Sequence, residues 1–220
     1  MIERVLEPEL MDDPEESEAY DDMDHGGVNA QFVTDLLEFG DLPDHVLDVG
    51  TGTARIPIEL CSRVSQTAVL ACDAAVSMLE HAKIVIAAEG YEGRIELRLQ
   101  DAKALEFDDE TFPCVISNSL VHHIAEPFAV LSEMVRVAEP DATVFVRDLA
   151  RPDRHETVEN LVESYSGEES EYCQQLFRQS LIAALTLEEV REMVARLGFS
   201  KDTVTMTSDR HWTWQARKSV

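Results

Sequence analysis

The chain has 220 residues, 45% of them hydrophobic, which suits one domain of ordinary size with a real core or one domain with a small cap. Its 44 acidic residues against 18 basic ones leave a net charge of −26, and a surface of that sign repels phosphate backbones and argues against a nucleic-acid partner. A solvated acidic surface of the halophilic or marine kind accounts for the charge, and a cationic partner is the other reading.

Residues 1–24 are dense in Asp and Glu and read as a solvated acidic arm. Tyr20 and His25 stand just before an amphipathic helix carrying Phe32, Val33, Leu36, Leu37 and Phe39, which Gly40 closes. Next comes VLDVGTGTARI, Val46 to Ile56. The apolar run is a short buried strand, Gly50 and Gly52 make a tight turn, and Ile56, Ile58, Leu60 and Val64 follow at helical spacing. A strand, a glycine turn and a helix N-terminus form a nucleotide cradle. Arg55 stands where a dinucleotide fingerprint needs its third glycine, and the chain has no Gly-Lys-Ser/Thr of a P-loop. Asp48 inside the turn is ill-suited to a pyrophosphate but suits a ligand with an ammonium group. The stretch resembles motif I of the class I S-adenosylmethionine methyltransferases.

Ala68 to Cys72 is a second apolar strand, ending at Asp73, where a carboxylate can accept hydrogen bonds from both hydroxyls of a ribose. A helix follows over Ala74 to Ala88, and its Met78 either touches the adenosine or packs in the core. Ile95, Leu97 and Leu99 alternate with charged residues as a half-exposed third strand that ends in Gln100-Asp101-Ala102. The resemblance implies that Asp101 accepts from the adenine amino group and that the Ala102 N–H reaches a ring nitrogen. A turn aspartate is the alternative. Cys114 to Asn118 is the fourth strand, continuing into SNSLVHHI, which resembles motif IV of small-molecule methyltransferases such as those that C-methylate ubiquinone and menaquinone precursors. By that resemblance Asn118 and Ser119 flank the methyl donor.

His122 and His123 are the candidates for a catalytic base. Adjacent residues on a helix cannot both face one way, so one of the two is expected to pack instead. After an amphipathic helix over Pro127 to Val137, Glu139-Pro140-Asp141 reads as a turn into a fifth strand, Ala142 to Val146. Arg147, Asp148 and Arg151 at its end either bind the substrate or form surface ion pairs. Tyr20 and His25 are further substrate-side candidates, because an N-terminal helix often folds over the cofactor in this family. Helical stretches near 155–165 and 169–184 form a cap insertion at about 153–185. Thr186 and Glu189 form a capping box, and strands at Phe199 to Met206 and His211 to Ala216 close the chain, with Trp212 and Trp214 as packing residues.

Alternating strands and helices imply an α/β fold with a mainly parallel sheet. The family implies a Rossmann-like seven-stranded sheet in the order 3-2-1-4-5-7-6 with the last strand antiparallel. Residues 1–40 are expected as arm and lid helix and 41–220 as the methyltransferase domain, with no second independent core. The expected cofactor is S-adenosyl-L-methionine, leaving as S-adenosyl-L-homocysteine. It is held by Asp48, Gly50, Thr51, Gly52, Asp73, Ala74, Met78, Asp101, Ala102, Asn118 and Ser119. A small-molecule acceptor is expected. Two alternatives are a cofactor-binding protein without catalysis and a nicotinamide-dependent oxidoreductase; a methyltransferase acting on a basic protein is a further one. Cys61, Cys72, Cys114 and Cys173 form no zinc-type spacing and read as buried thiols of a cytoplasmic protein, so no metal is expected. The N-terminus lacks the pattern of a signal peptide and no apolar run approaches ~18 residues, so no membrane partner is expected. A homodimer remains open.

Overall fold

The computed structural model describes residues 2–7, 12 and 26–219. Five strands come first: β1 (His45–Val49), β2 (Ala68–Asp73), β3 (Ile95–Leu99), β4 (Phe112–Asn118) and β5 (Ala138–Leu149). The short β6 (Val204–Met206) and β7 (His211–Arg217) follow. The sheet has seven strands in the order β3-β2-β1-β4-β5-β7-β6, as expected. β1 lies parallel between β2 and β4, with Asp48 opposite Ala71 and Ile116, while β6 and β7 pair antiparallel. Val46, Leu47 and Val49 of β1 are at most 1% exposed. A central strand covered on both faces reads as a continuous apolar run rather than an alternating one. Asp48 interrupts that run.

The helices are α1 (Gly26–Phe39), α2 (Arg55–Arg63), α3 (Val76–Glu89), α4 (Pro127–Val137), α5 (His155–Ser166), α6 (Glu171–Ala183) and α7 (Leu187–Arg196). No helix among the described residues is long and apolar enough to cross a membrane. The Thr186–Glu189 capping box is present, with the Glu189 carboxylate accepting from Thr186 N at 2.7 Å and the Thr186 hydroxyl from Glu189 N at 3.3 Å. α2 ends differently. The Arg94 guanidinium donates to the carbonyls of Cys61 at 2.7 Å, of Thr67 at 3.0 Å and of Val64, so a cation meets the negative end of the helix.

The chain divides into two compact units, where the sequence suggested no second core. One consists of the described residues of Leu10–Asn118, Ala129–Val146 and Gln215–Val220. Its core joins Phe32, Val33 and Leu36 of α1 to Leu60, Ile86, Ile116 and Phe145, with the Phe32 and Phe145 rings edge-to-face at 5.1 Å. The other gathers the described residues of Met1–Glu9 with Ser119–Phe128 and Arg147–Trp214. It has its own cluster of Ile2, Leu149, Val158, Leu161, Val162, Leu181 and Ala184. Three separate stretches build this unit, so no linker in the sequence marks it. Two further details differ from expectation. β5 begins at Ala138, directly after α4, and the expected turn survives only as a positive φ of 64° at Asp141. β6 is three residues long because Lys201–Thr203 wind into a 3-10 turn capped by the Ser200 side chain.

Candidate active site

The glycine turn belongs to the first unit. Its N–H groups at Gly50 and Thr51 both donate to the Cys72 carbonyl, at 2.8 and 2.9 Å, which hooks the end of β1 onto the end of β2. Gly52 N then donates to Asp73 Oδ2 at 2.9 Å, and Ala75 N to Asp73 Oδ1 at 2.9 Å. Asp73 therefore braces the turn and opens α3. Gly50 and Gly52 take φ values of 75° and 54°. Among the described residues a Cβ built on Gly52 would meet nothing within 4 Å, so this glycine serves the left-handed backbone with open space before it. Ala54, fully buried, also takes a left-handed φ of 63° at the start of α2. The third-glycine position, Arg55, is exposed.

Asp48 is 2% exposed. Burial pushes its carboxyl up to about 7, the charge of Asp73 adds to that push, and the Thr51 side chain opposes it. Asp101 is exposed, accepts from Lys103 N at 2.9 Å and pairs with Lys103 Nζ at 3.1 Å, so it does form the turn aspartate of the second reading. These bonds hold its carboxyl below the usual range, the backbone N–H of Lys103 most strongly. The loop after it is clamped by Arg136, which donates to the carbonyls of Leu105 and Phe107, each at 2.8 Å. Ala102 and Met78 are buried, Ala74 is half-buried, and Asn118 Oδ1 at the end of β4 is buried with no hydrogen-bond partner among the described residues.

The histidine pair belongs to the second unit. Val121–His123 form a 3-10 turn, opened by Ser119 at φ 56° with its N–H on the Arg147 carbonyl at 2.9 Å. His122 is 4% exposed. Its Nδ1 lies 2.6 Å from Asp148 Oδ1 and its backbone N–H donates to Asp148 Oδ2 at 3.0 Å. Its Nε2 lies 3.3 Å from Glu7 Oε1, and His123 Nδ1 lies 3.1 Å from the same oxygen. Adjacent histidines thus reach one carboxylate, contrary to the expectation that they face apart. The turn is not α-helical, and one ring reaches with its distal nitrogen while the other uses its proximal one. Burial favours neutral His122, but the charge and hydrogen bond of Asp148 and the charge of Glu7 outweigh it and raise the pKa. Burial likewise disfavours ionised Asp148, and the His122 charge and the hydrogen bonds it receives lower its pKa nonetheless.

Residues 46–141 match a family model described as a methyltransferase domain. Over these residues the chain matches a methyltransferase domain, consistent with the class I S-adenosylmethionine-dependent type. It is 39% identical over 101 residues to the phosphatidylethanolamine N-methyltransferase of Cereibacter sphaeroides, covering 46% of this chain and 48% of that protein. It is 28% identical over 108 residues to a ubiquinone/menaquinone biosynthesis C-methyltransferase of Geotalea daltonii, covering 49% and 46%. The chain spans about half the length of the curated relatives it matches. Its fold is shared with an S-adenosylmethionine-dependent methyltransferase from Aquifex aeolicus (TM-score 0.70, 20% identity, 94% and 98% covered). A putative methyltransferase from Methanococcus maripaludis shares it too (TM-score 0.74, 14% identity, 98% of each chain).

S-adenosylmethionine is the cofactor of this family, and the residues of the methyltransferase domain fit it. The space before Gly52, the buried Asp48 carboxyl and the orphaned Asn118 oxygen suit a ligand with a cationic amino group and polar edges. Of the residues expected to bind the substrate, Arg147 is buried and donates from Nε to Thr213 Oγ1 at 2.8 Å. Arg151, also buried, donates to the Ala184 carbonyl at 2.8 Å and to Glu189 at 2.7 Å. It is a buried tie rather than a surface ion pair. Tyr20 and His25 lie outside the described residues. Glu7 was not singled out from the sequence, and no local pattern marks it, because its partners come from the other half of the chain.

Proposed function

We propose that the chain transfers a methyl group from S-adenosylmethionine to a small-molecule acceptor. The observation that carries this is Asp48, a carboxyl buried at a glycine turn and held near neutrality for want of a cation. The cofactor's ammonium group is such a cation, and its sulfonium supplies an electrophilic methyl group. In this reading Asp48 and the backbone of Gly50, Thr51 and Gly52 bind the amino-acid end. Asp73, oriented by Gly52 N and Ala75 N, binds the ribose. Ala74, Met78, Asp101 and Ala102 enclose the adenosine, and Asn118 and Ser119 flank the methyl donor. Methyl transfer requires chiefly that an acceptor atom be aligned and water excluded, so orientation supplies much of the rate. No base from the histidine pair is required, since both nitrogens of His122 already face carboxylates.

The acceptor belongs, in this proposal, among small molecules. The net charge of −26 disfavours nucleic acids, and the names of the relatives point to a quinone carbon and an ethanolamine nitrogen as the first acceptors to try. Calorimetry with S-adenosylmethionine tests the cofactor role. Asp73→Ala, and Asp73→Asn which keeps one acceptor oxygen, should weaken binding by about 1–3 kcal/mol through lost charge-assisted hydrogen bonds. Unchanged affinity in both would remove the ribose role. Labelled methyl transfer across an acceptor panel then separates an enzyme from a cofactor-binding protein: tight binding with no product on any acceptor would favour the latter.

A further inference from the structure

We propose that Glu7, His122 and His123 form a binding site for a divalent ion of the zinc class, with Asp148 orienting one of the ligands. Methyl transfer does not enter the argument, which rests on the second unit alone. Glu7 Oε1, His122 Nε2 and His123 Nδ1 all lie within 4.8 Å of one another. Two of the three separations are 3.3 and 3.1 Å. Ligands about 2.0–2.2 Å from a tetrahedral zinc stand about 3.3–3.6 Å apart, so small shifts bring these atoms onto one ion. Imidazole nitrogen and carboxylate oxygen are the donors that such an ion takes, and three protein ligands leave a fourth position for water or another small donor.

The surroundings match what such a site needs. A ligating histidine holds its other nitrogen on a carboxylate, and His122 Nδ1 sits 2.6 Å from Asp148 Oδ1. The Ser180 hydroxyl donates to the Glu7 carboxylate at 3.2 Å. Glu7 is delivered by a short anchored segment: Ile2 is buried in the satellite core, and Arg4 donates to the carbonyls of Ala183, His122 and Ile124. The same guanidinium therefore fixes both the histidine turn and the strand of chain that brings the carboxylate. Among the described residues His123 Nδ1 is buried without a hydrogen-bond partner, although it lies 3.1 Å from Glu7 Oε1. The two rings lie 4.0 Å apart at 35°, an arrangement in which two positive imidazoliums would repel. A metal ion between neutral rings and a carboxylate satisfies His123 Nδ1 without that repulsion.

The test uses the full chain stripped with a chelator and titrated with Zn²⁺ by calorimetry, and with Co²⁺ read by visible absorption. One equivalent should bind, with Co²⁺ giving the intense bands of a tetrahedral site. Glu7→Gln and His123→Asn should each weaken Zn²⁺ binding at least tenfold while keeping the circular dichroism of the metal-free protein. No stoichiometric binding by the wild type, or equal binding by folded variants, would overturn the proposal. Crystals of the wild-type chain grown with Zn²⁺ supply a reading that needs no variant. An anomalous peak bonded to Glu7, His122 and His123 supports the site, and a peak elsewhere or none at all refutes it.

Discussion

Replacing Asp48 by Asn should make the cofactor-free protein more stable at neutral and alkaline pH while weakening its hold on S-adenosylmethionine. The Asp48 carboxyl titrates near 7 in the folded protein against an ordinary value of 3.8. The folded state therefore holds a proton that the unfolded chain has released, and stability is lost as pH rises from the unfolded value through the folded one. The gap is about three pH units, each worth ~1.4 kcal/mol, so wild type gives up ~4 kcal/mol between pH 4 and pH 8 that an uncharged amide does not. The amide side chain resembles the protonated acid in shape. The advantage of the variant should be near zero at about pH 4 and grow by ~1.4 kcal/mol per pH unit up to about pH 7. Urea unfolding of both proteins followed by far-ultraviolet circular dichroism across that range measures it. Parallel stability curves, or a variant that loses ground as pH rises, would refute the reasoning. Calorimetry at pH 8 supplies the complementary result, a weaker complex in the variant because the ammonium group has lost its carboxylate.

Arg94→Ala leaves the carbonyls of Cys61, Val64 and Thr67 without their shared donor and should cost about 2–4 kcal/mol in urea unfolding. Glu110→Gly relieves a left-handed φ of 54° on the surface; net of the entropy of glycine it should gain about 0.5–1 kcal/mol, seen as a small rise in melting temperature. The Glu110–Lys218 contact at 3.7 Å is too exposed to offset that gain. Asn118→Ala removes an oxygen that has no hydrogen-bond partner among the described residues, so unfolding in the absence of cofactor should shift by less than ~1 kcal/mol while calorimetry shows weaker S-adenosylmethionine binding.

What the sequence revealed follows the range of its interactions. The cradle is local: Asp48, Gly50 and Gly52 fall within five positions, and the turn closes on Asp73 one strand later. The capping box at Thr186 is equally local and was equally legible. Asp101 follows the end of β3, and residue order alone could not choose between an adenine contact and the turn in which its carboxylate serves Lys103. Longer-range features left no trace. Glu7 meets His122 and His123 more than a hundred positions away, and residue spacing within the pair alone suggested opposed rings. The second core draws on three stretches of chain, each with ordinary helix or strand periodicity, so nothing in composition separates it. At Asp141 no glycine marks the left-handed backbone, and an Asp tolerates it well enough to hide the constraint.

The division into two units sets what each optical or chemical probe can see. Trp212 and Trp214, the only tryptophans in the chain, are fully buried on β7 within the unit of the histidine cluster. Cys61, Cys72 and Cys114 are buried in the unit of the glycine cradle, where burial pushes their thiols up and leaves them inert until that unit opens. Intrinsic fluorescence thus follows one unit, and the rate of thiol labelling follows chiefly the other, with Cys173 as the exception. If the two traces separate during unfolding, the molecule melts in two steps. If they coincide, the units cooperate, and the cradle that binds cofactor and the cluster that gathers Glu7 and the histidines rise and fall as one.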